Sequence, residues 1–185
     1  AVLNIYDALY ENKDKINHIL TCHEQAASHA ADGYARATGK IGVCLSTSGP
    51  GATNLVTGIA TAYLDSVPIL AITGNVATNL LGKDSFQEVN ITDITKSITK
   101  RNYIVKDINK LQETIEEAIH IAQEGRPGPV LIDIPKDITA QKVEFKDRGK
   151  VWYTENEDID TNNLKKVVDI INKSKKVFIY AGGGV

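Results

Sequence analysis

The sequence predicts an α/β domain: a mostly parallel sheet with helices on both faces. Three observations carry that expectation. Short apolar runs alternate with segments of helical period along most of the chain, the order in which a parallel sheet and its covering helices are laid down. Residues 67–73 form a continuous apolar run, as a strand buried on both faces requires. Ile108, Leu111, Ile115, Ala118, Ile119 and Ala122 recur at three- and four-residue spacing, which places them on one face of an amphipathic helix.

Taken in order, residues 2–10 read as a helix and residues 16–21 as a short apolar strand. Residues 24–38 are rich in Ala and end at Gly39, a helix followed by a common helix stop. Residues 41–46 give the next apolar strand, which runs into Thr47-Ser48-Gly49-Pro50-Gly51. Ala52, Leu55, Val56, Ile59, Ala60 and Tyr63 then share one face of a helix. The strand at 67–73 follows, and residues 101–105 form a further strand candidate. After the amphipathic helix, the turn Gly125-Arg126-Pro127-Gly128-Pro129 leads into a buried strand at 130–134. These elements assign residues 1–138 to one domain. Residues 139–160 are polar and aperiodic, the composition of an interdomain linker. Residues 161–185 begin a second domain, with a helix capped by Asp160 or Thr161. Leu164, Val167, Val168 and Ile171 form its inner face, and a strand follows at 177–180. Both ends read as cut: there is no initiator Met, and the last strand stops in a glycine turn.

Composition narrows the functions. Hydrophobic residues at 42% and charged residues at 24% are ordinary for a globular chain. A net charge of −2 offers no basic footprint for nucleic acid or an anionic membrane. No apolar run approaches the roughly 20 residues that span a bilayer. Residues 1–7 lack the pattern of a signal peptide. Cys22 and Cys44 are too few for a disulfide framework or a zinc site. Read as reduced thiols, they fit the cytoplasm.

Among residues that could carry chemistry, His23-Glu24 invites a metal reading, but Ala27 stands where a second ligand would be. His29, six residues on, faces about 120° away around a helix. No Ser sits in a Gly-x-Ser-x-Gly elbow. Glu24 is distinguished by its place between an apolar strand and an Ala-rich helix, the edge where open α/β sheets bind ligands. An isolated acid there could equally be a helix-start carboxylate stabilised by the helix dipole. Small residues beside it shift the weight: Ala26, Ala27, Ala30 and Ala31, with Gly51, Ala52, Gly58 and Ala60 on the later helix, suggest a subunit interface. The turn Thr47 to Asn54 lies at the next strand-to-helix junction, on the same edge. It lacks the Lys of a P-loop and the spacing of a dinucleotide fingerprint.

As an ordered set, the motifs are specific. Cys22-His23-Glu24-Gln25-Ala26-Ala27, Ala31-Asp32-Gly33-Tyr34-Ala35-Arg36 and Gly49-Pro50-Gly51-Ala52-Thr53-Asn54 resemble the pyrimidine-binding domain of thiamine-diphosphate enzymes. Phe86-Gln87-Glu88, Gly125-Arg126-Pro127-Gly128-Pro129-Val130 and Asp133-Ile134-Pro135-Lys136-Asp137 narrow the resemblance to the acetolactate synthases, over essentially the whole chain. In that family's pattern a first strand and a Gly-Gly loop would precede Ala1.

The resemblance implies a carboligase that decarboxylates pyruvate and joins the acetyl unit to pyruvate or 2-oxobutyrate, in branched-chain amino-acid biosynthesis. It implies that Glu24 is catalytic, lying beside N1′ of the cofactor's aminopyrimidine, where a carboxyl group can share a proton with the ring nitrogen. Desolvation by the ring would raise the pKa of Glu24 and the helix start would lower it. Pro50, Asn54 and Gln87 are the other expected contacts of thiamine diphosphate. Phe86, Gln87 and Lys136 are expected in the substrate pocket, and Arg126 at FAD. Arg126 and Lys136 could also be surface charges at turns, and Gln87 a loop residue. Magnesium and diphosphate ligands are expected in a separate C-terminal domain contributed by the other subunit of a homodimer or higher oligomer, with a regulatory small subunit as a further partner. Asn75-Val76-Ala77-Thr78 departs from the pattern, since biosynthetic members usually carry Pro after that Val. The alternatives are another thiamine-diphosphate carboligase or 2-oxoacid decarboxylase, including a flavin-free catabolic acetolactate synthase. A Rossmann-type module using Gly49–Gly51 and Gly182–Gly184 would be a different class, and it lacks the fingerprint spacing.

Overall fold

A strand buried on both faces needs a partner on each edge and a helix above and below, and the chain supplies both. The computed structural model describes residues 1–147 and 160–182. Residue contacts divide the chain into two units, 1–147 and 148–185. In the first, α1 (Leu3–Glu11) and α2 (Glu24–Thr38) precede β1 (Gly42–Ser46). Then come α3 (Pro50–Asn54), α4 (Val56–Leu64), β2 (Ile69–Asn75), a 3₁₀ turn (Thr78–Leu80), α5 (Ile91–Thr95) and β3 (Arg101–Ile104). A second 3₁₀ turn (Ile108–Lys110), α6 (Leu111–Gln123), β4 (Val130–Pro135) and α7 (Lys136–Thr139) complete it. The helix expected over 52–63 is thus two, meeting at the fully buried Leu55.

The four strands run parallel in the order β1-β2-β4-β3. All their carboxyl ends therefore lie on one edge. Ile69, Ala71 and Leu131 point to the face covered by α2 and α4, where Ala31, Leu55, Ile59 and Ala62 meet them. Leu70, Val130 and Ile132 point to the other, under Ala118 and Ala122 of α6. Full burial of each large aliphatic side chain is worth roughly 1.5–3 kcal/mol, so the two-sided core is what holds the sheet.

Two expected strands are corrected. Residues 16–21 form no strand: Ile19 and Leu20 are 76% and 79% exposed, and this stretch pairs with no ladder among the described residues. An apolar run without a backbone partner has no reason to extend as a strand. The same holds for residues 177–180, which are exposed and unpaired among the described residues. Residues 148–159 of the expected linker, and Gly183 and Gly184, lie outside the described residues. In the second unit, α8 (Thr161–Lys173) is capped by Asp160, whose carboxylate accepts from the N–H groups of Asn162 and Asn163 at 3.0 and 3.2 Å. Leu164, Val167, Val168 and Ile171, expected on its inner face, are exposed.

The small-residue faces are also corrected in part. A Cβ on Gly58 would lie 2.1 Å from Ser28 Oγ, and one on Gly42 would lie 2.1 Å from the Ala31 carbonyl oxygen. Both glycines let their elements, α4 and β1, pack closely onto α2 within the chain, and of the residues read as a subunit interface Gly58 is the one used this way. Ala26 and Ala30 stay exposed. At position 42 the obstacle is backbone, which cannot rotate away. Gly42→Ala should therefore lower stability by roughly 1–3 kcal/mol. Gly33→Ala, in an exposed helical position with nothing within 4 Å of its Cβ, should raise it by roughly 0.5–1 kcal/mol. Urea denaturation of the two variants checks the pair, and equal midpoints would contradict the close approach of β1 to α2.

Candidate functional site

The turn that follows β1 is shaped by Gly49. Its φ of 58° is a left-handed conformation that glycine adopts without penalty. Space excludes a side chain there as well, since a Cβ would lie 2.6 Å from the carbonyl oxygen of Gln87. The backbone of Gln87 thus rests on Gly49, and the segment after β2 is brought onto the turn after β1. Across that turn α2 begins. His23 sits at its N-cap, and the imidazole Nδ1 accepts from the Gln25 N–H at 3.1 Å. Glu24, the first helical residue, accepts at Oε2 a hydrogen bond of 3.0 Å from Asn54 Nδ2. A Cβ on Gly51 would come within 3.4 Å of Glu24 Oε1, so the absence of a side chain there leaves room over the carboxylate.

Glu24 therefore lies at the carboxyl edge of the sheet, as expected, although not by the expected route. No strand delivers it; the bond to Asn54 does. Asn54 ends α3, so one hydrogen bond ties the start of α2 to the junction after β1. The pKa of Glu24 is lowered, first by the Asn54 amide and next by the backbone N–H at the helix start; partial burial opposes this, and nearby His23 assists. Within the chain, hydrogen bonding outweighs partial burial, which favours the ionised carboxylate.

The segment between β2 and α5 is held against its own backbone preferences. Asp84 and Gln87 have φ of 52° and 58°, left-handed values that cost a non-glycine residue on the order of 1 kcal/mol each. Glu88 offsets this. Its carboxylate accepts from the N–H groups of Gly82 and Ser85, the latter at 2.9 Å. Between Ser85 and Glu88, Phe86 projects outward, 87% exposed.

The remaining expected residues divide. Pro50 opens α3 beside Gly49. Lys136 opens α7 directly after β4, at the same sheet edge as Glu24 but two strands across from β1. Arg126 lies at the opposite edge, before β4. Its guanidinium donates to Ser66 Oγ at 2.8 Å and to the carbonyls of Tyr63 and Leu64, and it sits 5.9 Å over the Tyr63 ring. Those contacts cap the carboxyl end of α4. The six residues of β4 span roughly 20 Å between these two edges of the sheet.

A buried polar row at the carboxyl edge went unnoticed in the sequence. Ser46, Thr73 and Asp133 stand in register across β1, β2 and β4, all buried. Asp133 Oδ1 accepts from Thr73 Oγ1 at 2.6 Å, and Oδ2 accepts from Asn75 Nδ2 at 2.5 Å. Burial pushes the Asp133 carboxyl up to about 6, while both hydrogen bonds pull the other way. The signal was present: Thr73 and Asn75 are polar residues at alternate positions of an otherwise apolar strand, which places both on one face.

A family model described as thiamine pyrophosphate enzyme, N-terminal TPP binding domain, matches residues 1–94. The chain is 51% identical over 189 residues to an acetolactate synthase of Arthrospira platensis, covering 98% of this chain and 33% of that protein. It is 49% identical over 188 residues to the acetolactate synthase large subunit of Corynebacterium glutamicum, covering all of this chain and 30% of that one. The chain thus spans about a third of the length of the curated relatives it matches. With a carboxylate held at the sheet edge and half of its length inside the family model, the chain belongs to the thiamine pyrophosphate enzymes, in their N-terminal TPP-binding domain.

Proposed function

We propose that this chain is the pyrimidine-binding part of an acetolactate synthase large subunit. The observation that carries the reading is the Glu24 carboxylate, fixed by Asn54 beside a turn that Gln87 overlies. In this reading residues 1–138 are the cofactor domain, 139–160 a linker and 161–185 the start of a central domain.

Thiamine diphosphate, when bound, supplies an acidic carbon that becomes the nucleophile toward a 2-oxoacid. The chain's own part is to hold a proton on the pyrimidine. Glu24 is suited to this because its ionised carboxylate can accept an N–H from the protonated ring nitrogen. Asn54 fixes the rotamer, so little orientation is lost when the ring arrives. Gly51 leaves space above the carboxylate, and Pro50 and Gln87 border the same turn. Phe86, Gln87 and Lys136 would meet the substrate, pyruvate first and then pyruvate or 2-oxobutyrate. Magnesium and diphosphate are assigned to a part of the protein beyond these 185 residues. A homodimer with its active site at the subunit interface fits the exposed Ala26 and Ala30 beside Glu24, and a regulatory small subunit is the further partner. The free cysteines Cys22 and Cys44 accord with a cytoplasmic enzyme of branched-chain amino-acid biosynthesis.

Two experiments on the full-length protein test the reading. Glu24→Gln preserves the shape of the side chain and an acceptor for Asn54, but removes the carboxylate. Hydrogen–deuterium exchange at C2 of bound thiamine diphosphate should slow by about 10²–10⁴-fold, and an unchanged rate would remove Glu24 from cofactor activation. FAD is the second cofactor of the reading, with Arg126 as its contact in this chain. Arg126→Ala should weaken flavin retention, measured by visible absorbance after gel filtration, more than it weakens thiamine diphosphate binding. Purified wild-type protein without flavin would instead place the chain with flavin-free catabolic members.

A further inference from the structure

Asp133 is fully buried on a central strand and forms no ion pair among the described residues. An apolar side chain would fill that place without the cost of desolvating a carboxylate. The core therefore does not explain the residue. Its hydrogen bonds do. One oxygen takes the Thr73 hydroxyl, and the other takes the Asn75 amide. Asn75, also buried, uses its own side-chain oxygen to accept from the Val76 N–H at 2.8 Å. The amide is thus held at both ends, and the chain's exit from β2 is set by the Asp133 carboxylate. Two residues later, Thr78 donates both its N–H and its hydroxyl to Asp137, at 2.9 and 2.6 Å. Asp133 and Asp137 flank the end of β4, so both hold the first turn of the segment that carries Phe86 and Gln87 to Gly49.

We propose that Asp133 is a positioning residue, acting through Asn75 to place the segment 76–88 against the turn at Gly49. The inference rests on the reading of that edge as the cofactor and substrate site. It distinguishes the two hydrogen-bond partners of one carboxylate. Thr73 only satisfies the buried group, whereas Asn75 passes its orientation to Val76.

The test compares Asn75→Ala, Thr73→Val and Asp133→Asn in the full-length protein. Amide hydrogen exchange is read over residues 76–88 against the strands β2 and β4, together with kcat and KM for pyruvate. Asn75→Ala should raise exchange in 76–88 by about tenfold while the strands keep their protection, as in a local rather than a global opening. KM should rise more than kcat falls. Thr73→Val should leave exchange of 76–88 within about twofold of the wild type, any loss of protection being spread evenly over the strands. Asp133→Asn should keep exchange of 76–88 near that of the wild type, because its oxygen can accept from Asn75 while its NH₂ donates to the Thr73 hydroxyl. Equal exchange profiles for Thr73→Val and Asn75→Ala would overturn the proposal and leave Asp133 a merely satisfied core group. A selective rise in exchange without any change in KM would support the positioning role and count against the substrate-site reading of the segment.

Discussion

The bond from Asn54 Nδ2 to Glu24 Oε2 is the interaction on which the rest of the site depends. It joins two places that the chain reaches thirty residues apart. One is the first residue of α2, and the other is the last residue of α3, at the junction after β1. Without it the carboxylate would be one more acid at a helix start, free to rotate into solvent. With it, the group has one orientation and a lowered pKa. Everything around it serves to keep that junction in place. Gly58 and Gly42 bring α4 and β1 onto α2, and Gly49 admits the Gln87 backbone.

The carboxyl edge of the sheet shows two uses of a carboxylate that differ in burial. Glu24 is partly open, and its hydrogen bonds outweigh the loss of solvent, so its charge is retained. Asp133 is sealed, and desolvation outweighs two hydrogen bonds, so its carboxyl is pushed up. Environment alone separates them. The open one is bonded by Asn54 at the junction after β1, and the sealed one bonds the Asn75 side chain that holds the Val76 N–H. Strain at Asp84 and Gln87 belongs to the same frame, since left-handed residues persist only where neighbours such as Glu88 hold them.

Most of the fold could be read from periodicity. Helix α2 and strands β1, β2 and β4 fall within two residues of their expected limits, and α6 starts three residues later than its first expected face residue, Ile108, because both-face burial leaves a strong pattern. The apolar runs at 16–21 and 177–180 misled, since composition records an apolar surface but not whether a partner strand lies beside it. For the site, Glu24 was legible from its place before an Ala-rich helix, although the strand thought to deliver it is absent. The pairing with Asn54, the contact of Gln87 with Gly49 and the capping of α4 by Arg126 each join residues 30 to 63 positions apart. No local pattern encodes such distances. The Asp133 row sat in plain sequence as polar letters inside apolar strands.

The claim that Asn54 holds Glu24 as an oriented, ionised carboxylate can be measured without the cofactor. Selective ¹³C labelling of glutamate side chains, with the Glu24 signal assigned by its loss in Glu24→Gln, gives the titration of this carboxyl by NMR. The account predicts a midpoint below the ordinary glutamate value of 4.5 in the wild-type protein, moving upward in Asn54→Ala. A wild-type midpoint at or above the ordinary value, unchanged when Asn54 is removed, would contradict it.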